Sequence, residues 1–256
     1  MLPDLLTTLF NFGLGAALGV VGGLLGIGGG LIAIPVLGYL YGMDQHLAQG
    51  TALVMIAPNV LLGFFRYHQR NRIDVRSVAA MAVFAMVTTY LAARLAHGID
   101  ADRLRIAFAI FLILLGLYFG RRPRATTGEE AAPARPMPRA ALPVLGMFSG
   151  AMSGIFTVGG GLIVVPALVS LFGLKQTRAQ GIGLALAAPG ATIALIAYAQ
   201  GGHVDWHTGL PMGLGGVLSV SWGVALAHRF SAARLRLCFS VVLLGTALMM
   251  LVAAPR

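Results

Sequence analysis

The chain contains one apolar unit twice. An offset of 131 positions places Gly19–Asn59 on Gly150–Gly190 without a gap, and the correspondence continues to His97 on His228. Each copy carries three consecutive glycines within apolar sequence, and a proline follows them. A repeated apolar unit with a glycine interruption is typical of membrane proteins that are built from two related halves.

Composition supports a membrane location. Of the 256 residues 58% are hydrophobic and 10% are charged, whereas about 25% of residues are charged in soluble domains. Apolar stretches of roughly 18 residues can cross a bilayer as helices, and transmembrane β-strands would need alternating patterns that are absent here. The sequence therefore predicts an all-α polytopic membrane protein. Its apolar runs are Leu5–Ile27, Leu47–Phe65, Ser77–Ala93, Leu104–Gly120, Leu142–Val158, Ala179–Ala199, Gly209–Ala227 and Leu235–Ala254.

Each repeat is expected to form five helical segments, of which the second is short. In the first repeat they are 5–27, 31–42, 47–65, 77–96 and 104–120; in the second they are 142–158, 162–173, 178–198, 208–228 and 235–253. A dozen residues at 1.5 Å each cannot cross alone. The short segment either extends the first as a kinked helix, which makes the halves parallel, or forms a hairpin with it, which makes them inverted.

Charge distinguishes these two arrangements. Parallel halves divide the 18 lysines and arginines ten to eight between the two sides, whereas inverted halves place fourteen on one side. Short cytoplasmic loops carry an excess of Lys and Arg, so the inverted arrangement is favoured, with both termini outside the cytoplasm. Basic residues cap apolar segments and form no stripe, which argues against nucleic acid as a partner. The N-terminus lacks a basic region and a cleavage site, so no removable signal peptide is expected.

The expected organisation is repeat one at 1–120, a cytoplasmic linker at 121–140 and repeat two at 141–256. Prolines, small residues and mixed charges make the linker a flexible connector. The single cysteine, Cys238, corresponds to Ala107 in the first repeat, so it forms no internal disulfide and is interpreted as a core residue. The expected location is a bacterial inner membrane, crossed many times; a homo-oligomer stays open.

The two glycine triplets are the first candidate substrate site. They comprise Gly28, Gly29 and Gly30, and Gly159, Gly160 and Gly161. Glycine permits positive φ, and a helix that begins after such a break presents free N–H groups and the positive end of its dipole. Such an end binds anions. In the alternative interpretation the glycines only allow helices to cross closely.

Polar side chains near the breaks extend this candidate site. They are Gln49, Thr51, Asn59, Thr157 and Gln180, and helix breaks are expected at Pro35, Pro58, Pro166 and Pro189. Proline in a membrane helix frees a carbonyl. Each polar side chain either contacts the substrate or satisfies that freed backbone.

The acidic residues argue against ion coupling. All eight, such as Asp44 and Asp205, lie at segment ends or in loops, whereas coupled carriers usually bury a carboxylate in the membrane. An inside-negative potential alone drives anion export, at about 2.3 kcal/mol per charge per 100 mV. Metal and nucleophile motifs are absent from the sequence, so no enzyme, cofactor or metal is expected. A non-transporting accessory or scaffold membrane protein is the competing interpretation.

The motifs resemble those of the sulfite exporter TauE/SafE family. They are G-x-G-G-G-L-I-x-I-P at Gly26–Pro35, V-G-G-G-L-I-V-V-P at Val158–Pro166, and the A-x-G-[TI] stretch at Ala48–Thr51 and Ala179–Ile182. The resemblance implies a carrier of small anions such as sulfite and sulfonates. A related group that transports thiosulfate is similar in using pore cysteines, and neither break here contains one.

Overall fold

The computed structural model describes residues 2–71, 75–96, 98–120, 141–157 and 161–252. Within these ranges the chain forms ten helices. They are α1 Leu2–Leu25, α2 Gly30–Tyr41, α3 Gln45–Asn71, α4 Val75–Ala96, α5 Ala101–Gly120, α6 Ala141–Phe156, α7 Gly161–Phe172, α8 Gln176–Gln200, α9 Trp206–Ala227 and α10 Ala232–Val252. The all-α fold predicted from the sequence is confirmed. The predicted linker at 121–140 lies outside the described residues.

Six of the helices are long and apolar enough to cross a membrane: α1, α3, α5, α8, α9 and α10. Their outer faces expose large apolar side chains, such as Leu214, Leu218 and Trp222 at successive turns of α9. A stripe of this kind suits contact with lipid. Helix α3 continues six residues beyond its predicted end, because Tyr67 remains fully buried in the bundle and keeps the last turns packed.

Helices α1 and α2 form a hairpin. The Tyr41 hydroxyl at the end of α2 donates a hydrogen bond to Asn11 Oδ1 near the start of α1. In one continuous helix these residues would lie about 45 Å apart, at 1.5 Å per residue. Gly29 also lies so close to α1 that an added Cβ would be 2.8 Å from the Leu18 carbonyl oxygen. The chain therefore reverses at the glycines and does not continue as a kinked helix.

The two halves interlock through glycines. Helix α1 packs most extensively on α9, and α6 packs most extensively on α4. The contact residues are Gly15, Gly19 and Gly23 on α1, and Gly146, Gly150 and Gly154 on α6, which are their repeat equivalents. A Cβ at any of the six would lie 2.1–2.6 Å from a carbonyl oxygen of the facing helix. Such spacing lets backbones approach closely in lipid. The first helix of each half thus packs on the other half.

The central helices α3 and α8 run antiparallel. Tyr67 near the end of α3 contacts Gln180 near the start of α8, and Tyr198 near the end of α8 contacts Gln49 near the start of α3. Helices α5 and α10 are also antiparallel, since Gly116 lies against Leu244 and Gly120 against Ser240. Antiparallel pairing of equivalent helices favours the inverted arrangement. The orientation in the membrane and the domain boundaries stay predictions.

The expected helix breaks at the prolines are wrong. Pro35, Pro58, Pro166 and Pro189 all lie inside continuous helices, and in the first half the interruption falls at the glycines alone. The φ of proline is compatible with a helix, although proline removes one backbone hydrogen bond and its ring crowds the carbonyl four residues earlier. Pro58 frees the carbonyl of Val54, which lies against Gly213 of α9, 3.2 Å from a Cβ built there.

Candidate substrate site at the two helix breaks

The first break spans residues 26–29, between α1 and α2. Gly28 and Gly29 have φ values of 73° and 90°, which residues other than glycine rarely adopt. Gly29 is the N-cap of α2, and within the described chain no side chain caps that end. The first N–H groups of a helix lack partners inside the helix. Helix α2 thus begins with uncapped donors and the positive end of its dipole.

The second break follows α6 at Thr157 and ends where α7 begins at Gly161. Thr157 has a φ of 55°, and its hydroxyl donates to the Phe156 carbonyl at 2.7 Å. A left-handed conformation at a β-branched residue is a strained one. Gly159 and Gly160, which were predicted as part of the site, lie outside the described residues.

The two breaks meet. A Cβ built on Gly30, the first residue of α2, would lie 3.8 Å from the Thr157 carbonyl oxygen, and its nearest neighbour would be Ile56 Cδ1 of α3 at 2.2 Å. On α3, Pro58 lies midway along the sequence between Gln49 and Tyr67. On α8, Pro189 likewise lies midway between Gln180 and Tyr198, so the two prolines mark the middle of this antiparallel pair. The start of α2 and the end of α6 therefore occupy one central region of the bundle, as a shared site would require.

Two glutamines join the halves at the breaks. Gln180 Nε2 donates to the Leu25 carbonyl at 3.0 Å, and Gln49 Nε2 donates to the Ile155 carbonyl at 3.4 Å. Each amide thus satisfies a terminal carbonyl of the first helix of the opposite half. Both glutamines lie at the breaks, as the sequence predicted, but their donors serve the backbone. Direct contact between either glutamine and a substrate stays a prediction.

A tyrosine holds each glutamine. The Tyr198 hydroxyl donates to Gln49 Oε1 at 2.6 Å. The Tyr67 hydroxyl has two acceptors for its one hydrogen, Gln180 Oε1 at 3.2 Å and the Gly23 carbonyl at 3.1 Å. All four side chains are fully or almost fully buried. The tyrosines were not predicted from the sequence, although they are repeat equivalents of each other.

Thr51 and Asn59 have different roles at the first break. Thr51 Oγ1 accepts a hydrogen bond from the Asp205 backbone nitrogen at 2.9 Å, and so it fixes the connection between α8 and α9. Asn59 Nδ2 lies 3.5 Å from the Gly28 carbonyl oxygen, the limit of a hydrogen bond. Asn59 Oδ1 is buried without a partner in the described chain. Of the predicted side chains, Asn59 has the most unused hydrogen-bonding capacity.

A serine takes the corresponding place at the second break. The repeat equivalent of Asn59 is Gly190, and a Cβ there would lie 3.2 Å from Ser153 Oγ and 3.3 Å from Thr89 Oγ1. Thr89 donates to the Gly150 carbonyl, whereas Ser153 Oγ is buried with no partner among the described residues. Ser153 lies one turn before Thr157. Ser153 was not predicted as a site residue. The sequence signal that could have identified it is that a polar residue stands here where the first repeat has Gly22.

The central region is electrically neutral. Asp, Glu, Lys and Arg do not occur among the fully buried side chains that the structure describes. In the same ranges no three His, Cys, Asp or Glu residues are grouped so that they could hold a metal ion. The ligand groups on offer are therefore backbone N–H groups, one amide and hydroxyls. Neutral donors of this kind bind an anion without holding it as strongly as a buried cation would.

Comparison with known proteins gives a consistent result. A family model described as sulfite exporter TauE/SafE matches residues 11–250. A probable membrane transporter protein of Xylella fastidiosa (strain 9a5c) is 28% identical over 259 residues, covering 96% of this chain and 95% of the relative. Similar proteins with the same description occur in Methanocaldococcus jannaschii, 26% identical with 90% of each chain covered, and in Bacillus subtilis, where YjnA is 25% identical with 92% and 96% covered.

Proposed function

The chain belongs to the sulfite exporter TauE/SafE family, and from this premise we propose that it exports small sulfur-containing or organic anions, of which sulfite and sulfonates are representative. It is a multi-pass membrane protein of a transporter family, which is consistent with a bacterial inner membrane. The observation that carries the proposal is the meeting of the two breaks at Gly30 and Thr157.

The proposed site binds an oxyanion through neutral donors. The uncapped start of α2 supplies backbone N–H groups, and its dipole favours negative charge. Ser153 of α6 and Asn59 of α3 add a hydroxyl and an amide. The unpartnered Ser153 hydroxyl supports this assignment, because a buried polar group without a partner costs about 1–3 kcal/mol and an oxyanion would accept its hydrogen bond. The unpartnered atom of Asn59 is the acceptor Oδ1, which a water or a substrate hydroxyl would satisfy, so Asn59 can meet an anion only through Nδ2.

The proposed transport cycle uses the glutamine–tyrosine pairs as two gates. One pair, Gln180 with Tyr67, joins the end of α1 to the start of α8. The other, Gln49 with Tyr198, joins the end of α6 to the start of α3. In inverted halves the two pairs face opposite sides of the membrane, so opening one while the other stays closed alternates access. An inside-negative potential of 100 mV favours efflux of a monovalent anion by about 2.3 kcal/mol, or about 50-fold.

Reconstituted vesicles test the proposal. Vesicles with the protein, loaded with sulfite or methanesulfonate, should release the anion faster when a potassium diffusion potential makes the interior negative, and more slowly when its sign is reversed. Ser153→Ala should reduce the rate while the protein remains folded, and Gly29→Leu should abolish transport. Gly13→Leu is the matched control, because a Cβ at Gly13 meets nothing within 4 Å.

Absence of flux for every tested anion, from folded wild-type protein, would favour the scaffold interpretation. That interpretation has support of its own at the first break. A Cβ at Gly28 would lie 2.4 Å from Val60 Cγ1, so this glycine is required for packing whatever else the break does. Potential-independent flux would instead retain transport and remove the proposed driving force.

A further inference from the structure

A cavity of about 50 Å³ lies beside the other end of α2. Its walls come from α2, from the starts of α3 and α5, and from the end of α10. A single water needs about 10–15 Å³ of such space, so this cavity has room for several waters or for a small oxyanion. Ile34, one of the lining residues, is one helical turn, about 6 Å, from Gly30 at the central breaks.

Two buried donors at this cavity lack acceptors. Gln45 is 6% exposed, and its Nε2 has no hydrogen-bond partner in the described chain. Arg105 Nη1 is likewise buried and unpartnered among the described residues. The arginine is held in place by its other nitrogen, because Nη2 lies 3.3 Å from Asp102 Oδ1. Buried donors in folded proteins are almost always satisfied, so the pair points to a ligand that accepts hydrogen bonds.

We propose that this cavity is a docking station for a small oxyanion, which Arg105 Nη1 and Gln45 Nε2 bind on its way to or from the central breaks. The inference rests on the proposed function and adds a second site to it. The guanidinium favours an anion over a cation and presents the planar donors that suit sulfonate and carboxylate oxygens. In the membrane orientation predicted from the basic residues, this station faces the outside of the cell.

Two carboxylates, those of Asp44 and Asp102, also line the cavity, but neither occupies these two donors. Asp102 is 73% exposed and pairs with the other arginine nitrogen. Asp44 is exposed and caps α3, since its Oδ1 accepts from the Leu47 backbone nitrogen at 2.9 Å. Both carboxylates are therefore screened by solvent, whereas the two unpartnered donors are desolvated and gain more from an anion.

The second half repeats the amide donor. Gln176, the repeat equivalent of Gln45, is also 6% exposed, and its Nε2 is also buried without a partner within the described ranges. Arg236 is the repeat equivalent of Arg105. An equivalent station at the opposite face of the membrane is what a carrier with inverted halves needs, since its substrate enters at one face and leaves at the other.

Protection of an engineered cysteine tests the station directly. Ala101 lines the cavity, and Cys238→Ala removes the only native thiol by inserting the residue found at its repeat equivalent, Ala107. In this background Ala101→Cys should react with N-ethylmaleimide, and methanesulfonate should slow the reaction. Arg105→Gln and Gln45→Leu should each raise the methanesulfonate concentration needed for half-maximal protection about tenfold, because each removes one charge-assisted hydrogen bond to the anion.

Arg103→Gln is the matched control. Arg103 is exposed two positions away and does not line the cavity, so it should leave protection unchanged. The proposed anion site would be wrong if methanesulfonate did not protect the parent protein or protected all variants equally. It would also be wrong if an organic ammonium ion protected the cysteine instead. The labelling requires no flux, so protection without transport would contradict only the proposed export.

Discussion

The two helix breaks share one frame but differ in the polar groups that they present. At both breaks a glutamine from the opposite half bonds the end of the first helix, and a tyrosine holds that glutamine. At the first break the unsatisfied atom is the acceptor Asn59 Oδ1 of α3, whereas at the second it is the Ser153 hydroxyl of α6, which can also donate. Symmetric residues therefore join the two halves at the breaks and would serve as the proposed gates, and the asymmetric residues are the candidates for recognising the cargo.

The frame depends most on the glycines at the first break. Gly28→Val should prevent folding or cost about 3–5 kcal/mol, because it adds a side chain at a φ of 73° and places its Cβ 2.4 Å from Val60. Fluorescence-detected size exclusion should show loss of the monodisperse peak, with Gly13→Val retaining it. A normal peak and normal flux for Gly28→Val would mean that the break repacks easily and cannot define a site.

The interlocking glycines test the symmetry of the frame. Gly19→Leu and Gly150→Leu occupy equivalent positions and should destabilise the protein by similar amounts, about 2–4 kcal/mol each, since both force a close helix pair apart. Thermal unfolding in detergent measures this, with Gly13→Leu as the control. A large inequality between the two variants would show that the halves do not carry the bundle equally.

Much of this frame was predictable because it is encoded locally. Apolar runs set the helices, and the glycine triplet in the first repeat marks its break correctly. The packing partner of each helix was harder to predict. Glycines spaced four residues apart on α1 indicate a close helix contact, but they do not show that the partner is α9, about 200 residues later in the chain. The prolines misled for the same reason: local preference predicts a break at Pro58, and tertiary packing keeps α3 intact.

The candidate site was only half predictable. Asn59 and the two glutamines are polar residues in apolar sequence, so they were identified. Ser153 is a small residue among many and gives no such signal alone. Comparing the two copies position by position would have found it, since Ser153 replaces Gly22 where Gly190 replaces Asn59. Between the repeats the polar side chain thus moves from the third helix, where Asn59 lies on α3, to the first, where Ser153 lies on α6.

The glutamine–tyrosine pairs should give smaller effects than the glycines. Tyr198→Phe and Gln49→Leu should each cost about 1 kcal/mol, and their double mutant should cost less than the sum because the same hydrogen bond is lost. Additive costs in the double mutant would remove the pair as a structural unit, and with it the proposed gate.

Exchanging the asymmetric residues should affect stability least and cargo most. The double variant Ser153→Gly with Gly190→Asn gives the second break the residues of the first. Removing the serine side chain relieves one of the two contacts of the new amide and leaves that with Thr89, so we expect a loss of unfolding free energy of about 1 kcal/mol. Competition among sulfite, methanesulfonate and acetate in vesicle efflux should then show an altered order of preference.

Gly190→Asn alone is the control and should be less stable, because its side chain meets Ser153 and Thr89. An unchanged order of preference in a folded, active double variant would assign the asymmetry to packing, and specificity would then have to come from the backbone donors that the two breaks share.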